Sequence, residues 1–307
     1  MADWTFIHVS DIHLGSPRSF RFQPSWNENW ATARRQILAL KPDLLLVGGD
    51  VTRDGSFHRY ELEAAKAELD TLPLPVHVVA GNMDTGNKHA TTQGYYKEQD
   101  SCELNIRPEQ LRNFEQVFGP AQWTFLYKGV RFSGFCDMLV NSGLPAEAAL
   151  WEWLEAQTRL PKAEHHIWMT HYAVFIDDPA EPNFRISGSE DEYLSWYFGL
   201  DNPGRSRLLK IFKATGATHV LSGHVHCRHT QLSAGIEFNI CPSTAFGQFG
   251  DHWPTGDAAL GFMKYDVTPT GIKSSFIPLK QVSTKAGYGP GGHVAPEQRD
   301  YRLAWEK

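Results

Sequence analysis

An alternation of short apolar runs with amphipathic stretches at the start of the chain limits the possible folds more than any other feature. The runs at 4–10, 43–49 and 76–80 are predicted to be buried strands. The stretches between them, 25–41 and 59–72, carry helical patterns. A β-α-β-α-β succession favours parallel strands joined by right-handed crossovers. We therefore expect an α/β (α+β) protein.

The rest of the chain continues this pattern at first and then becomes mostly strands. The first predicted helix has Ser25 as its expected N-cap. Its buried face is expected to consist of Trp30, Ala33, Ile37 and Leu40. Further helices are predicted at 108–118, 145–159 and 205–216. Further strands are predicted at 123–127, 130–135, 165–173 and 218–223, and strands with turns dominate from 229 onward.

The last segment, 281–307, is rich in Gly and Pro and poor in aliphatic residues. We expect it to be a tail, either disordered or draped over a single domain that comprises residues 1–280.

Composition excludes several classes of protein. The 307 residues are 41% hydrophobic, which is enough for a substantial core. A net charge of −6 disfavours a nucleic-acid partner. The N-terminus lacks a signal-peptide pattern, and no stretch reaches the roughly 18 apolar residues of a membrane span. Because the four cysteines form no CxxC pair, we expect reduced thiols. Together, these patterns predict a cytoplasmic protein with no membrane partner.

The ends of the predicted strands share a second property, because each carries an oxygen or imidazole ligand. These residues are Asp11, His13, Asp50, Asn82, His171, His224 and His226. In open α/β sheets, sites form outside the carboxyl ends of the strands, where loops converge. A set of Asp, Asn and His without Cys suits Mn, Fe or Zn. Glycines before Asp50, Asn82 and His224 fit a chain that turns sharply or approaches closely there. The joint pattern predicts a site for two metal ions.

This ordered pattern of D-x-H, G-D, G-N-x-D, a lone His and G-H-x-H resembles the calcineurin-like metallophosphoesterases over roughly residues 4–280. The resemblance implies an αββα sandwich, in which two mixed β-sheets pack face to face and are flanked by helices. It implies that one metal ion is held by Asp11, His13 and His226 and the other by Asn82, His171 and His224. Asp50 would bridge both ions, which would hold a bridging hydroxide for attack on a phosphoester.

One position departs from the family, because Met83 stands where most members have a histidine that is thought to protonate the leaving group. A thioether has no proton to give. Asp84 would then lose its usual partner, and we expect it to serve as a turn or helix cap. Either the leaving group needs no acid, or another group such as His252 or His89 supplies the proton. A further alternative is that the chain has become a protein-binding scaffold on the same fold.

Three other features could shape specificity. The aromatic-rich segment 172–205 could be a lid that stacks a nucleobase, but an amphipathic turn over the core is favoured. The polar insertion 84–110 is a candidate rim loop. Arg53 could touch phosphate, although a solvated arginine is favoured. In the tail, which we expect to be dispensable for metal binding, His293 could return over the site.

We therefore predict a phosphoric ester hydrolase with two metal ions that acts on phosphodiesters, including cyclic nucleotides, as small-molecule substrates. Phosphodiesters are favoured because some diesterases of this family also lack the histidine at the Met83 position. A phosphomonoesterase is the alternative enzyme, and a non-catalytic scaffold is the alternative of another class.

Overall fold

The computed structural model describes residues 3–90, 102–254, 256–291 and 299–304. Its strands are β1 Trp4–Val9, β2 Leu44–Val47, β3 Val76–Val78, β4 Trp123–Tyr127, β5 Val130–Gly134, β6 His165–Met169, β7 Ala217–Ser222, β8 His229–Ser233, β9 Ile236–Ile240, β10 Gly261–Thr268 and β11 Gly271–Pro278. Its α-helices are α1 Pro24–Leu40, α2 Arg59–Asp70, α3 Asn82–Thr85, α4 Pro108–Phe118, α5 Pro145–Gln157, α6 Glu190–Phe198 and α7 Gly204–Thr215. Short 3-10 helices lie at Cys102–Leu104 and Asp137–Leu139.

Two mixed sheets form the centre of the fold. The first has the order β11-β10-β1-β2-β3, in which β1, β2 and β3 are parallel, β10 is antiparallel to β1, and β11 is antiparallel to β10. The second has the order β4-β5-β6-β7-β9-β8, with parallel strands in the middle and antiparallel strands β4 and β8 at its edges. The predicted arrangement of two mixed sheets flanked by helices is confirmed.

Apolar side chains fill the space between the sheets and the space under the helices. Phe6 of the first sheet meets Phe132 of the second edge-to-face, with ring centroids 5.3 Å apart. On the outer face of the first sheet, Trp30 of α1 packs with the aliphatic residues of β1 and β2. On the outer face of the second, Trp168 of β6 packs against Phe212 of α7, with centroids 5.2 Å apart. The alternating apolar runs therefore supply a three-layered core, which accounts for their near-complete burial.

Several predicted boundaries are wrong in a consistent way. The strands predicted at 4–10, 43–49, 76–80 and 165–173 all end earlier than expected, at Val9, Val47, Val78 and Met169. In each case the chain leaves the sheet just before the residues that carry polar ligand atoms. The overshoot therefore coincides with loop residues at the strand ends that are as buried as the strands themselves.

The start and the end of α1 also differ from expectation. Gln23 is the N-cap and Pro24 occupies the first turn, so the predicted cap Ser25 lies inside the helix. Proline is favoured at the first helical position because its missing N–H has no partner there in any case. At the other end, Leu40 remains 37% exposed, although Trp30, Ala33 and Ile37 are buried as predicted.

The aromatic segment holds a helix where a turn was favoured. Helix α6 begins after Ser189, whose side chain accepts a hydrogen bond from the Glu192 amide. Its Tyr193 and Trp196 are buried against Ala90 and Ile186. The segment therefore covers the core as expected, but as a helix.

The tail, the rim loop and the cysteines are described in part. Residues 281–291 and 299–304 of the tail are described, whereas His293 lies outside the described residues. Residues 91–101 of the predicted rim loop also lie outside them. Three cysteines are buried free thiols and Cys102 is an exposed one. Within the described ranges, no helix has the length and apolar character needed to cross a membrane.

Candidate metal centre

The structure brings the seven predicted ligand residues together at the carboxyl ends of β1, β2, β3, β6 and β7. One group consists of Asp11, His13, Asp50 and His226, and a second consists of Asp50, His171 and His224. Within each group, one ligand atom from each residue lies within 4.8 Å of the others. Asp50 belongs to both groups, so its carboxylate lies between the two clusters.

Asn82 completes the second group. Its side-chain oxygen lies 2.9 Å from Nε2 of His171, and its amide nitrogen donates to Oδ1 of Asn87 at 3.0 Å. Each of the seven side chains belongs to a residue that is at most 2% exposed. The amide oxygen therefore lies beside the imidazole nitrogen, among side chains that are almost fully buried.

The backbone at this centre is strained. Five of the seven residues have positive φ angles: Asp11 at 55°, His13 at 50°, Asp50 at 46°, His224 at 65° and His226 at 54°. Such conformations are uncommon for residues with a Cβ and concentrate at functional sites. Sharp left-handed turns at the strand ends direct consecutive side chains to one side of the sheet edge.

Glycine allows two of these turns to touch. Gly49 has φ of +91°, and a Cβ on it would come within 2.9 Å of the backbone of Gly81. A Cβ on Gly81 would overlap the backbone nitrogen and the carboxylate of Asp50. The predicted reason for glycine before Asp50 and Asn82, a close approach of the backbone, is what the structure shows.

Backbone carbonyls orient three of the four histidines. Gly48 O lies 2.8 Å from Nδ1 of His171, and Phe246 O lies 2.9 Å from Nδ1 of His226. Tyr197 O lies 2.9 Å from Nε2 of His224. A ring nitrogen facing a carbonyl carries a proton, so the opposite nitrogen is the one that can release its proton to offer a lone pair to a metal ion. His171 and His226 therefore present Nε2 to the centre, and His224 presents Nδ1.

The charges at the centre favour a cation. Burial alone would lower the pKa of His171, but the carboxylates of Asp50, Asp11 and Asp137 outweigh it and raise that pKa to about 10. Nε2 of His226 lies 3.1 Å from Oδ1 of Asp11 and also 3.1 Å from Nε2 of His13. Buried carboxylates that hold a proton on a neighbouring imidazole have a strong demand for positive charge. Two carboxylates, an amide oxygen and four imidazoles fit Mn, Fe or Zn ions.

Asp84 takes the capping role that was expected in the absence of a histidine partner. Its carboxylate accepts hydrogen bonds from the amides of Gly81, Val51 and Thr52 and from the Thr52 hydroxyl, at 2.7–3.2 Å. Burial, together with the nearby Asp50, raises the pKa of Asp84 to about 6. The side chain therefore ties the loop that carries Asp50 to the loop that carries Asn82. Met83 donates its backbone N–H to Oδ1 of Asp50 at 2.7 Å.

A cavity of about 310 Å³ opens onto the centre. Besides several of the ligand residues, it is lined by Trp26, Arg53, Met83, Tyr197, Phe246, Gln248 and Gly291. Trp26 stacks on Phe246, with ring centroids 4.8 Å apart and planes 28° from parallel. The cavity therefore combines polar groups on the metal side with an aromatic wall.

The expectation that Arg53 is solvated is wrong. Arg53 is only 5% exposed, and its guanidinium lies 4.8 Å from the ring centroid of Trp26. Across the described ranges, no carboxylate forms a salt bridge with it. Burial, reinforced by the positive charge of Arg21, lowers the pKa of Arg53 to about 9. The carboxylates of Asp54, Glu61 and Asp50 offset only part of this cost, so a bound anion would stabilise the buried charge of Arg53 further.

The two candidate proton donors lie elsewhere. Nε2 of His252 is 3.0 Å from Oδ2 of Asp177, and its ring stacks on Phe249. His89 lines a different cavity together with Trp196. Neither histidine lines the cavity at the centre.

Sequence reasoning assigned no role at the cavity to Trp26, and it favoured a turn over the core for the segment that contains Tyr197. Tyr197 lies on α6. The start of this helix could have been predicted from the N-cap Ser189 and the three acidic residues that follow it in the first turn. Trp26 lies on α1, and its apolar character gave no indication that it faces a site.

Comparisons with known proteins agree with this centre and with the fold. A family model described as calcineurin-like phosphoesterase matches residues 5–228, which is more than half of the chain. The serine/threonine-protein phosphatase CPPED1 of Danio rerio is 25% identical over 306 residues, covering 91% of this chain and 86% of that protein. A probable cyclic nucleotide phosphodiesterase of Moraxella catarrhalis is 24% identical over 287 residues, covering 91% of this chain and 93% of that one.

Among solved structures, purple acid phosphatase PPD1 from yellow lupin (Lupinus luteus) seeds aligns with a TM-score of 0.61. The alignment has 12% identity and covers 92% of this chain and 53% of that chain. At this identity, the likeness concerns the fold alone.

Proposed function

We propose that this chain, which belongs to the calcineurin-like phosphoesterase family, hydrolyses phosphodiesters with two metal ions held at its buried centre. The observation that carries the proposal is the juxtaposition of a buried Asp/His/Asn cluster with the buried guanidinium of Arg53 in one cavity. The carboxylates of the cluster attract metal cations, and the guanidinium of Arg53 attracts an anion. A phosphate ester bound between the metal ions and Arg53 would satisfy both.

The ligand residues divide between the two ions according to the two groups at the centre. We assign Asp11, His13 and His226 to one ion and Asn82, His171 and His224 to the other. Asp50 serves both ions, because its carboxylate belongs to both groups. When bound, the ions supply Lewis acidity, which activates water at neutral pH and neutralises charge on the phosphate.

Arg53 binds a phosphate oxygen in this proposal. Its guanidinium lies over the face of Trp26 and lines the cavity, so a phosphate bound at the centre would meet a positive charge there. A planar, always charged fork suits phosphate better than an ammonium does.

The protein provides no acidic side chain at the position of Met83. Apart from the metal ligands, the hydrogen-bonding side chains in the described lining of the cavity are Trp26, Arg53, Tyr197 and Gln248. Histidine is the more usual general acid near neutral pH, and here every histidine of the cavity lining is assigned to a metal ion. The site therefore favours esters whose leaving group departs without a proton.

Two observations support phosphodiesters over phosphomonoesters. One is the methionine at position 83, and the other is the name of the Moraxella relative, a probable cyclic nucleotide phosphodiesterase. Phosphomonoester hydrolysis is the second candidate, because the Danio relative is named a serine/threonine-protein phosphatase.

Hydrolysis assays with added Mn²⁺, Fe²⁺ or Zn²⁺ test the proposal. Bis(p-nitrophenyl) phosphate, p-nitrophenyl phosphate and 3′,5′-cyclic AMP are compared at equal metal occupancy, with Asp50→Asn as the negative control. We expect the diesters to be hydrolysed with higher kcat/KM than the monoester. Faster monoester hydrolysis would support the phosphomonoesterase, whereas bound metal without hydrolysis of any ester would refute the proposal. A protein that binds no metal would support the scaffold.

A further inference from the structure

The C-terminal segment returns from the sheet edge to the metal centre. After β11, residues 285–291, here called the strap, run along the segment that precedes and begins α1. Lys285 O accepts from the Ser25 amide at 3.3 Å. At the other end of the strap, Gly291 lines the cavity that holds the centre. A segment that contributes no metal ligand therefore forms part of the substrate site.

Hydrogen bonds fix the strap in place. Phe22 and Tyr288 exchange two backbone hydrogen bonds, each of 2.9 Å. The Tyr288 hydroxyl donates to Pro17 O at 2.7 Å, and the Gly287 amide donates to Oε1 of Gln23 at 2.9 Å. Because both the backbone and a side chain take part, the strap is a defined element rather than a loose end.

Two glycines let the strap lie flat on the protein. A Cβ on Gly287 would overlap Phe22 O. Gly289 has φ of +86°, and a Cβ on it would overlap Arg21. Any larger residue at either position would therefore push the strap away from the domain.

Gly291 behaves differently from these two. Among the described residues, a Cβ built on it meets no atom within 4 Å, and its φ lies outside the left-handed region. The strap thus presents bare backbone to the cavity, and no described residue fills the space in front of it. A side chain added at this position would reduce that space without displacing the strap.

We propose that the strap is a wall of the substrate cavity that limits the size of the ester group opposite the leaving group. The proposal rests on the proposed phosphodiesterase function. A cavity of about 310 Å³ is at the small end of ligand sites, so one wall controls which substituents fit.

Two phosphodiesters with the same leaving group provide the test, methyl p-nitrophenyl phosphate and bis(p-nitrophenyl) phosphate. The kcat/KM value for bis(p-nitrophenyl) phosphate is divided by the value for methyl p-nitrophenyl phosphate. This ratio isolates the effect of the second ester group, because differences in metal content or active fraction cancel. In the full-length protein, Gly289→Val should displace the strap and raise the ratio by about tenfold, and Gly291→Leu should lower it by about tenfold.

Gly235→Val is the matched control, because Gly235 also has a positive φ of 80° but nothing within 4 Å of its Cβ. It should leave the ratio unchanged. Faster tryptic cleavage after Lys285 reports displacement of the strap in Gly289→Val. If that variant does not fold, Gly291→Leu decides alone.

A ratio within twofold of the wild type in the folded variants would overturn the proposal. If the wild type hydrolyses neither diester, the proposed function fails, and the strap is then tested by binding. Calorimetry then measures the affinities of the Mn²⁺-loaded protein for diphenyl phosphate and dimethyl phosphate. The ratio of the two affinities, diphenyl over dimethyl, should rise in Gly289→Val and fall in Gly291→Leu. An unchanged ratio would overturn the proposal that the strap is a wall of the cavity.

Discussion

Replacing Arg53 with methionine should make the protein more stable and less active. In the folded protein, burial lowers the pKa of Arg53 to about 9, against an ordinary value of 12.5. The charged form is therefore disfavoured in the folded state at every pH below about 9, by up to about 5 kcal/mol. Methionine removes this penalty and keeps most of the packing volume, but it forfeits the contact with Trp26, which contributes about 2 kcal/mol when desolvated.

The net expectation is a gain of about 3 kcal/mol in the free energy of unfolding near neutral pH. For a chain of this length, this corresponds to an increase of about 6 °C in Tm. Loss of a hydrogen bond to a charged phosphate should lower kcat/KM by about 10- to 150-fold. Thermal melts of the chelated protein and diester kinetics of the metal-loaded protein measure the two effects.

Two further variants separate charge from position. Arg53→Lys keeps the charge without the planar fork, so it should keep the low stability and recover only part of the activity. Arg207→Met is the matched control, because Arg207 lies over Trp151 at 4.2 Å but is 45% exposed. It should change neither Tm nor kinetics appreciably. A lower Tm with unchanged kcat/KM in Arg53→Met would show that Arg53 is a structural element of the wall, and the assignment to phosphate would be wrong.

Three other predictions concern the centre and its surroundings. Asp50→Asn should abolish hydrolysis and remove at least one metal ion, as measured by elemental analysis. The control Glu63→Gln, on the exposed face of α2, should do neither. If Asp50→Asn kept both ions and its turnover, the bridging role would be contradicted. Met83→His should flatten a plot of log rate against leaving-group pKa, with alkyl esters gaining part of the roughly 10²–10⁴-fold effect of a general acid; an unchanged slope in the fully metallated variant would mean that the residue only packs. Burial and the nearby Asp54 raise the pKa of Glu61 to about 8, whereas in the unfolded chain it is about 4.5. The folded protein therefore holds a proton that the unfolded chain has lost, and the free energy of unfolding falls as pH rises from about 4.5 to 8. Glu61→Gln should remove that decline from urea-denaturation free energies measured across this range, and an identical decline in the variant would place its origin elsewhere.

The sequence predicted the layers of the fold because apolar periodicity records burial directly. The runs that form β1, β2, β6 and β7 are buried on both faces, and such strands are visible as continuous apolar stretches. Strand ends were less accurate, because the first loop residues at the centre are as buried as the strands. Ser25 was wrong as an N-cap because the adjacent proline, with its fixed φ, determines where α1 begins.

The seven residues at the centre could be predicted together because each follows a strand in a fixed order. What could not be predicted is what surrounds them. Arg53 is buried by Trp26, which is distant in sequence and contacts it only through the folding of α1. Tyr197 reaches the cavity from a helix that was interpreted as a turn, and Gly291 reaches it along the strap. Long-range contacts of this kind leave no periodic signal in a single sequence.

The carbonyl groups that hold His171, His226 and His224 have a consequence for how this centre can change over time. Gly48 O, Phe246 O and Tyr197 O belong to the main chain, so no single substitution at these positions deletes the acceptor. The side chains of Phe246 and Tyr197 can therefore be replaced while the imidazoles keep their carbonyl acceptors. Engineering the basicity of these histidines would accordingly require inserting or deleting residues in the loops, since the path of the backbone, rather than the identity of any residue, specifies which nitrogen is offered to a ligand.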